Sequence, residues 1–242
     1  MLPNNQSNDP TTPVAKVTGK TLGVEWNSND DTLGFPAYLT SLRAKLTKRT
    51  ALSILTSTFD PLGLLAPITV TGKLLIQELW TQNVAWDEPV TAEFNIRFNK
   101  FLTALQSASS FTFPRYFGGN ESSTIELHPF ADASARAYAT CIYVRHEHPD
   151  HGVEVTLLCA RTRVAPIRTP RTIPELELCA AALLTETLEP VAKVLNCPLD
   201  NCHAYSDSTV VLSYLARDHS YWKPFVANCV RKITLVLPSH KW

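Results

Sequence analysis

Three acidic residues stand in apolar surroundings where a folded chain would ordinarily place another hydrocarbon side chain. Asp132 interrupts HPFADASARAYATCIYV (128–144), Glu177 lies within PELELCAAALL, and Asp207 lies within CHAYSDST. Gathered at one place, like charges push one another toward protonation, so such a trio is unfavourable by itself. A divalent cation reverses that sign. All-oxygen, carboxylate-rich sites suit Mg2+ or Mn2+, and a pair of such ions about 3.5–4 Å apart can activate water and stabilise a leaving oxygen in phosphodiester cleavage. Each acid also has a plain structural reading. SDST can cap a turn or a helix, and a glutamate in a first helical turn is favoured by the helix dipole. The metal reading therefore rests on the three together, each on the element expected to carry it.

Those elements follow from the spacing of apolar residues. Residues 124–131, 137–146 and 153–164 are short, β-branched and aromatic-rich, and turns such as HEHPDHG join them, which predicts three neighbouring antiparallel strands. PELELCAAALLTETLEPVAKVL sets Leu176, Ala180, Leu183, Leu184, Leu188, Val191 and Leu195 on one helical stripe, with Pro174 suited to the first turn and Pro190 expected to kink or restart the helix. CHAYSDS predicts a further strand, TVVLSYLAR a short helix, and residues 221–236 another helix. Three strands, a helix, a strand and more helices make a mixed α/β sheet. If its first and fourth strands are parallel neighbours, Asp132 and Asp207 end side by side, and the helix start can hang Glu177 over the same spot.

The first half reads differently. Residues 39–56 and 67–83 carry helical spacing and are separated by the turn-rich FDPLGLLAP, while Phe94, Phe98, Phe101, Leu102 and Leu105 share one face of a third helix. KVTGKTLGVEWNSNDDTLGFP predicts a hairpin, and its NDD belongs to the turn and not to a polymerase's catalytic acid pair. FPRYFGGNESS (113–123) breaks the pattern and predicts a domain boundary.

Composition bounds the function classes. The chain has 242 residues, 45% hydrophobic, with Lys plus Arg and Asp plus Glu at 22 each, so any polyanion site must be local. No apolar run approaches the ~18 residues needed to span a bilayer, and MLPNNQSNDPTTP reads as a loose tail and not a signal peptide. The six cysteines form no C-x-x-C pair and read as reduced, buried thiols. RTRVAPIRTPR gathers Arg161, Arg163, Arg168 and Arg171 without an acid, in the stretch leading to Glu177; it is either a phosphate-binding patch or a solvated loop. HEHPDH brings His146, His148 and His151 together but reads as a hairpin tip, since no second ligand pair follows at zinc spacing.

FADAS, TIPELELCAA and YSDSTVVLSYL, in that order, resemble the ribonuclease H domain of retroelement polymerases. More narrowly, LSILTSTFDPLGLLAP, IQELW, WDEPV, FPRYF, HPFADASARAYATCIY and RTIPELELCAA resemble the polyproteins of BEL/Pao retrotransposons, from about Lys16 to the end. The resemblance implies an α/β, ribonuclease H-like mixed sheet with flanking helices, preceded by a mostly helical connection region. It divides the chain into a disordered tail (1–15), the end of a reverse-transcriptase-like region (16–38), the helical connection (39–120) and the ribonuclease H-like domain (121–242). It implies hydrolysis of the RNA strand of RNA–DNA hybrids by a two-ion Mg2+ or Mn2+ site, with Asp132, Glu177 and Asp207 as the catalytic, metal-binding acids.

Nucleic-acid contacts are expected from Arg161, Arg163, Arg168 and Arg171 and from Ser134 and Ser208. Expected partners are the hybrid and the remainder of the polyprotein, with no membrane, and the expected location is intracellular: cytoplasm, virus-like particle or nucleus. The family's fourth acid lies beyond a Trp-basic pair like that at Lys241 and Trp242, so the chain is expected to be C-terminally truncated and weak or inactive as a nuclease by itself. The alternative is a non-catalytic relic that folds or binds nucleic acid. Glu175 stands where the family usually has a basic residue, and is expected either to repel phosphate or to sit in solvent. The Asp-Thr-Gly or Asp-Ser-Gly turn of an aspartic protease does not occur.

Overall fold

A computed structural model describes residues 18–21, 23–36, 45–117, 124–148 and 152–242. The tail, the first part of the helix expected from residue 39 and the HEHPDH tip at 149–151 lie outside them.

Strands β1 (Thr18–Thr21), β2 (Val24–Asn27), β3 (Thr32–Gly34) and β4 (Thr112–Pro114) form an antiparallel sheet in that order. The expected hairpin is β2–β3. Its NSNDD turn is held by Asn29 N donating to Asn27 Oδ1 at 3.0 Å and Trp26 Nε1 donating to Asp31 Oδ1 at 2.9 Å. The FPRYF stretch, read from sequence as a break, begins as the strand that closes this sheet. Phe113 packs edge-on against Phe35 with ring centroids 6.2 Å apart, a contact between residues too distant in sequence for local pattern to reveal.

Three helices complete this half: α1 (Lys48–Ser57), α2 (Ala66–Thr81) and α3 (Ala92–Ser107). Helix α1 begins at Lys48 because Thr47 and Thr50 form a capping box, each side chain accepting the other's backbone N–H. The aromatic stripe Phe94, Phe98, Phe101, Leu102 and Leu105 is buried, as its spacing predicts, against Leu75 and Leu79 of α2.

The second half is built on β5 (Thr124–Ala133), β6 (Ala137–His148) and β7 (Gly152–Val164), antiparallel and in that order. The expected fourth strand is present as a line of parallel bridges: Leu127 with Cys202 and Phe130 with Tyr205. Three hydrogen bonds of 2.9 Å carry it, from His203 N to Leu127 O, Tyr205 N to Pro129 O and Ala131 N to Tyr205 O. On its far side Ala204 N donates to Lys241 O at 2.8 Å.

Helix α4 (Ile173–Val194) covers one face of this sheet, with Ala180, Leu184 and Leu188 packed on Leu127, Ile142 and Val144. It passes unbroken through Pro190. Pro190 is exposed between buried Leu188 and Ala192, so the hydrogen bond it cannot make is missing on the solvent side while the buried face still holds the helix. Helices α5 (Thr209–Leu215) and α6 (Pro224–Val236) pack beside α4 through Leu178, Val211, Val230 and Ile233.

The two halves meet along the outer edge of β7. Ala160 N donates to Leu62 O at 2.8 Å, and Gln77 Nε2 donates to Ala165 O at 2.6 Å. Gly63 has φ +70°, and a Cβ there would lie 1.8 Å from Ala160 O, so both the backbone conformation and the close approach require glycine. All six cysteines are free, and burial pushes the Cys202 thiol up to about 12, leaving it protonated and unreactive at neutral pH.

Candidate functional site

Side chains alternate across a strand. Leu127 and Ala131 belong to the core under α4, so the intervening His128, Phe130 and Asp132 face the other side of the sheet. Two residues past the bridged pair Phe130–Tyr205 come Asp132 on β5 and Asp207 on its parallel neighbour. Parallel pairing therefore puts these two acids at adjacent strand ends, as the sequence suggested. Glu177 reaches the same neighbourhood through Ser208, whose hydroxyl donates to Glu177 Oε2.

The carboxylates are not gathered into one cage. Among the described residues no group of three His, Cys, Asp or Glu side chains is close enough to hold a metal ion. Asp132 instead accepts its neighbour's backbone N–H, Ala133 N to Oδ1, at 2.6 Å, and it approaches from the face opposite α4, which carries Glu177.

In type, the donors fit a hard divalent cation: three carboxylates, all oxygen. Among the described residues none of the three has a lysine or arginine partner. What the structure supplies is the placement of their backbones, together with the Ser208 tether on Glu177.

Several other expected contacts have different employment. Ser208 is 6% exposed; besides holding Glu177 it caps α5, accepting Val211 N at 3.2 Å. Ser134 closes the β5–β6 turn, accepting Arg136 N and Ala137 N at 3.3 and 3.2 Å. Arg161 and Arg163 are not in a loop but on β7, where alternation points both toward the α4 side. Arg163 is paired with Glu186 of α4 at 3.0 Å. Arg171 lies 3.7 Å from the Phe225 ring centroid and 3.5 Å from Glu175. Arg168 and Arg161 have no ion-pair partner among the described residues.

Glu175 does not float in solvent. It is the third helical residue of a capping box, accepting Thr172 N at 2.9 Å and Thr172 Oγ1 at 3.1 Å, and this backbone donor is the main cause holding its carboxyl below the usual range.

Sequence reading missed the polar groups that the helical half brings to the sheet. Lys73 of α2 donates to Thr162 O at 3.1 Å and to Thr162 Oγ1 at 3.0 Å across 89 residues of chain. It missed also the run Glu126–His128–Tyr205 on the open face, with His128 Nδ1 3.0 Å from Tyr205 Oη and His128 Nε2 3.3 Å from Glu126. Alternation of β5 put Glu126 and His128 on one face; the Tyr205 partner required the parallel register.

No curated protein matches the sequence. Among solved structures, the foamy viral protease-reverse transcriptase in complex with RNA/DNA hybrid is similar over 90% of this chain and 27% of that chain, at 14% identity and a TM-score of 0.51. The foamy viral protease-reverse transcriptase in complex with dsDNA matches over 90% of this chain and 42% of that one, at 14% identity and a TM-score of 0.47. The chain thus spans less than half of the length of either, and the first of these likenesses shows the fold. Residues 47–208, well over half of the 242, match the model of the Pao retrotransposon-like RNaseH-like domain, and the chain belongs to that family.

Proposed function

We infer that the parent protein of this ribonuclease H-like domain hydrolyses the RNA strand of RNA–DNA hybrids with divalent metal ions, and that Asp132, Glu177 and Asp207 would hold those ions. The observation that supports the reading is the backbone placement of two acids at adjacent parallel strand ends with a third tethered to Ser208, without a neutralising cation among the described residues. Brought within reach of one ion, the three would repel one another without a ligand of opposite charge. Bound Mg2+ or Mn2+ would supply the activated water and the charge that stabilises the leaving oxygen.

The chain's own residues orient that chemistry. The Ser208 hydroxyl fixes one oxygen of Glu177 and leaves the other for a ligand. Asp132 accepts the Ala133 N–H with one oxygen and would turn at its strand end to offer the other to an ion. Arg161 and Arg168, without acidic partners among the described residues, are free to meet phosphates, whereas Arg163 and Arg171 serve α4. The substrate class is supported by the structural relative, which was solved with an RNA/DNA hybrid.

The rival reading, a relic that folds without cutting, has in its favour that the acids are not gathered. The two are separated by measuring Mn2+-dependent cleavage of a labelled hybrid by the polyprotein carrying this segment, together with the Mn2+-induced rise in melting temperature. Asp132→Asn is expected to abolish cutting and to reduce the melting rise. Equal cutting by both proteins removes Asp132 from the mechanism; no cutting and no metal-induced rise in the unaltered protein leaves the relic.

A further inference from the structure

A cavity of about 420 Å³ lies between α1, the start of α2 and the outer edge of β7, and the strand-end acids do not line it. Its charged lining is Asp60, Lys73, Arg161 and Arg163, with threonine hydroxyls between them. These charges do not cancel. Both oxygens of Asp60 are engaged at the start of α2, accepting Leu64 N at 2.9 Å and Leu65 N at 2.8 Å. Arg163 is engaged by Glu186. Lys73 is half-buried, and two of the three protons an ammonium carries go to Thr162, which leaves one. Burial pushes this ammonium down, with only the charge of Asp60 opposing. Arg161 has all five of its donors unspent among the described residues.

We propose that this cavity binds a phosphate group of a nucleic-acid backbone, with Arg161 as a forked donor and Lys73 as a point charge. The lining includes no aromatic ring on which a base could stack and no Asn or Gln to read one, so it recognises the phosphate alone. A strand held there crosses the junction between the helical half and the sheet, and the contact ties both halves to the same ligand. This deepens the hybrid-binding reading and rests on it, by naming Lys73 of the helical half as a contact beside Arg161 of β7.

The test measures binding of a labelled RNA–DNA hybrid by the full chain across a KCl series, and separately follows the side-chain N–H resonances of Lys73 and Arg161 while inorganic phosphate is added. One phosphate contact is worth about 0.9 in the slope of log K against log salt. The Lys73→Gln, Arg161→Gln double variant is expected to flatten the slope by about that amount, and Arg161→Gln by no more, because both cations serve one phosphate. Lys73→Arg keeps the charge and is expected to keep the slope; thermal melts of Arg161→Gln, a change at an exposed strand position, control for folding.

An unchanged slope in the double variant, with resonances unmoved by phosphate, overturns the site while leaving hybrid binding intact. A double-variant loss near twice the worth of one phosphate contact also overturns it, since the two cations would then serve separate phosphates. If phosphate moves both resonances but the hybrid does not bind, the site stands as an anion site and the hybrid reading falls. Free nucleotide binding as tightly as the hybrid would assign the cavity to a mononucleotide and overturn the backbone contact.

Discussion

The helical half and the strand ends treat their acids in opposite ways. In the helical half and its small sheet, Asp31 is closed by Arg115, Glu78 by Arg97 and Asp87 by Arg49. Each guanidinium holds its carboxyl below the usual range, through hydrogen bonds first and charge second. At the strand ends of the larger sheet, Asp132 has only a backbone N–H and Glu177 only a hydroxyl, and Asp207 has neither among the described residues. Arginines are near enough in sequence, but Arg163 and Arg171 are committed to Glu186 and Glu175. An acid closed by arginine holds structure together. One with no cation and, unlike Asp60, with an oxygen left over from backbone donors is available to a ligand.

The largest expected effect tests that contrast directly. Glu177→Gln should lower Mn2+-dependent cutting by the parent protein on the order of 100-fold or more while leaving its melting temperature nearly unchanged, because losing even an outer partner of a metal site costs about 10–100-fold. Glu78→Gln should do the reverse. It removes the partner of a partly exposed arginine, so stability falls by under about 1 kcal/mol and cutting is kept. If both changes cost stability and neither touches cutting, the strand-end acids are structural and the contrast fails.

The next effect asks whether the two regions depend on each other. Gly63→Ala places a methyl 1.8 Å from Ala160 O at a φ of +70°, and neither neighbour is a flexible side-chain tip that could yield. The change should cost about 2–4 kcal/mol, combining left-handed strain with overpacking. It should separate α2 from β7 and so lower hybrid binding as well as the melting temperature. Full stability in denaturant titration would show that the junction is not built on this contact.

What was legible in the sequence follows the range of the interactions. The stripe from Phe94 to Leu105, the three long strands and α4 were readable because each is written in a local period of two or 3.6 residues. The parallel place of residues 202–205 beside β5 was an assumption about topology, and the bridges at Leu127 and Phe130 supply it. Closure of the first sheet by β4, and the Lys73–Thr162 bond, join residues too far apart for any period to announce.

At the site, the identities of the acids were legible and their environments were not. Ser208 reads from sequence as a nucleic-acid contact beside Asp207; its burial and its bond to a glutamate 31 residues earlier are not written in any local pattern. The arginine run looked uniform until α4 supplied acids for two of its members.

The smallest effect concerns Glu175, an acid near the strand ends that is closed by an arginine as Asp31, Glu78 and Asp87 are. Its partners are Thr172 and Arg171, and its carboxyl is held low chiefly by the Thr172 backbone N–H. An acid whose folded-state pKa is depressed contributes stability above its unfolded-state pKa, and that contribution is lost as pH falls through the lower folded value. Glu175→Ala should therefore cost about 1 kcal/mol at neutral pH, the ordinary worth of a helix cap. The difference from the unaltered protein should shrink once the pH drops below the ordinary carboxylate range. Thermal melts at neutral and strongly acidic pH measure this, and hybrid affinity at neutral pH should be unchanged, since this carboxylate is already spent on the helix. Tighter hybrid binding by the alanine variant would instead mean that the charge reaches the substrate, and that closure by the cap does not shield it.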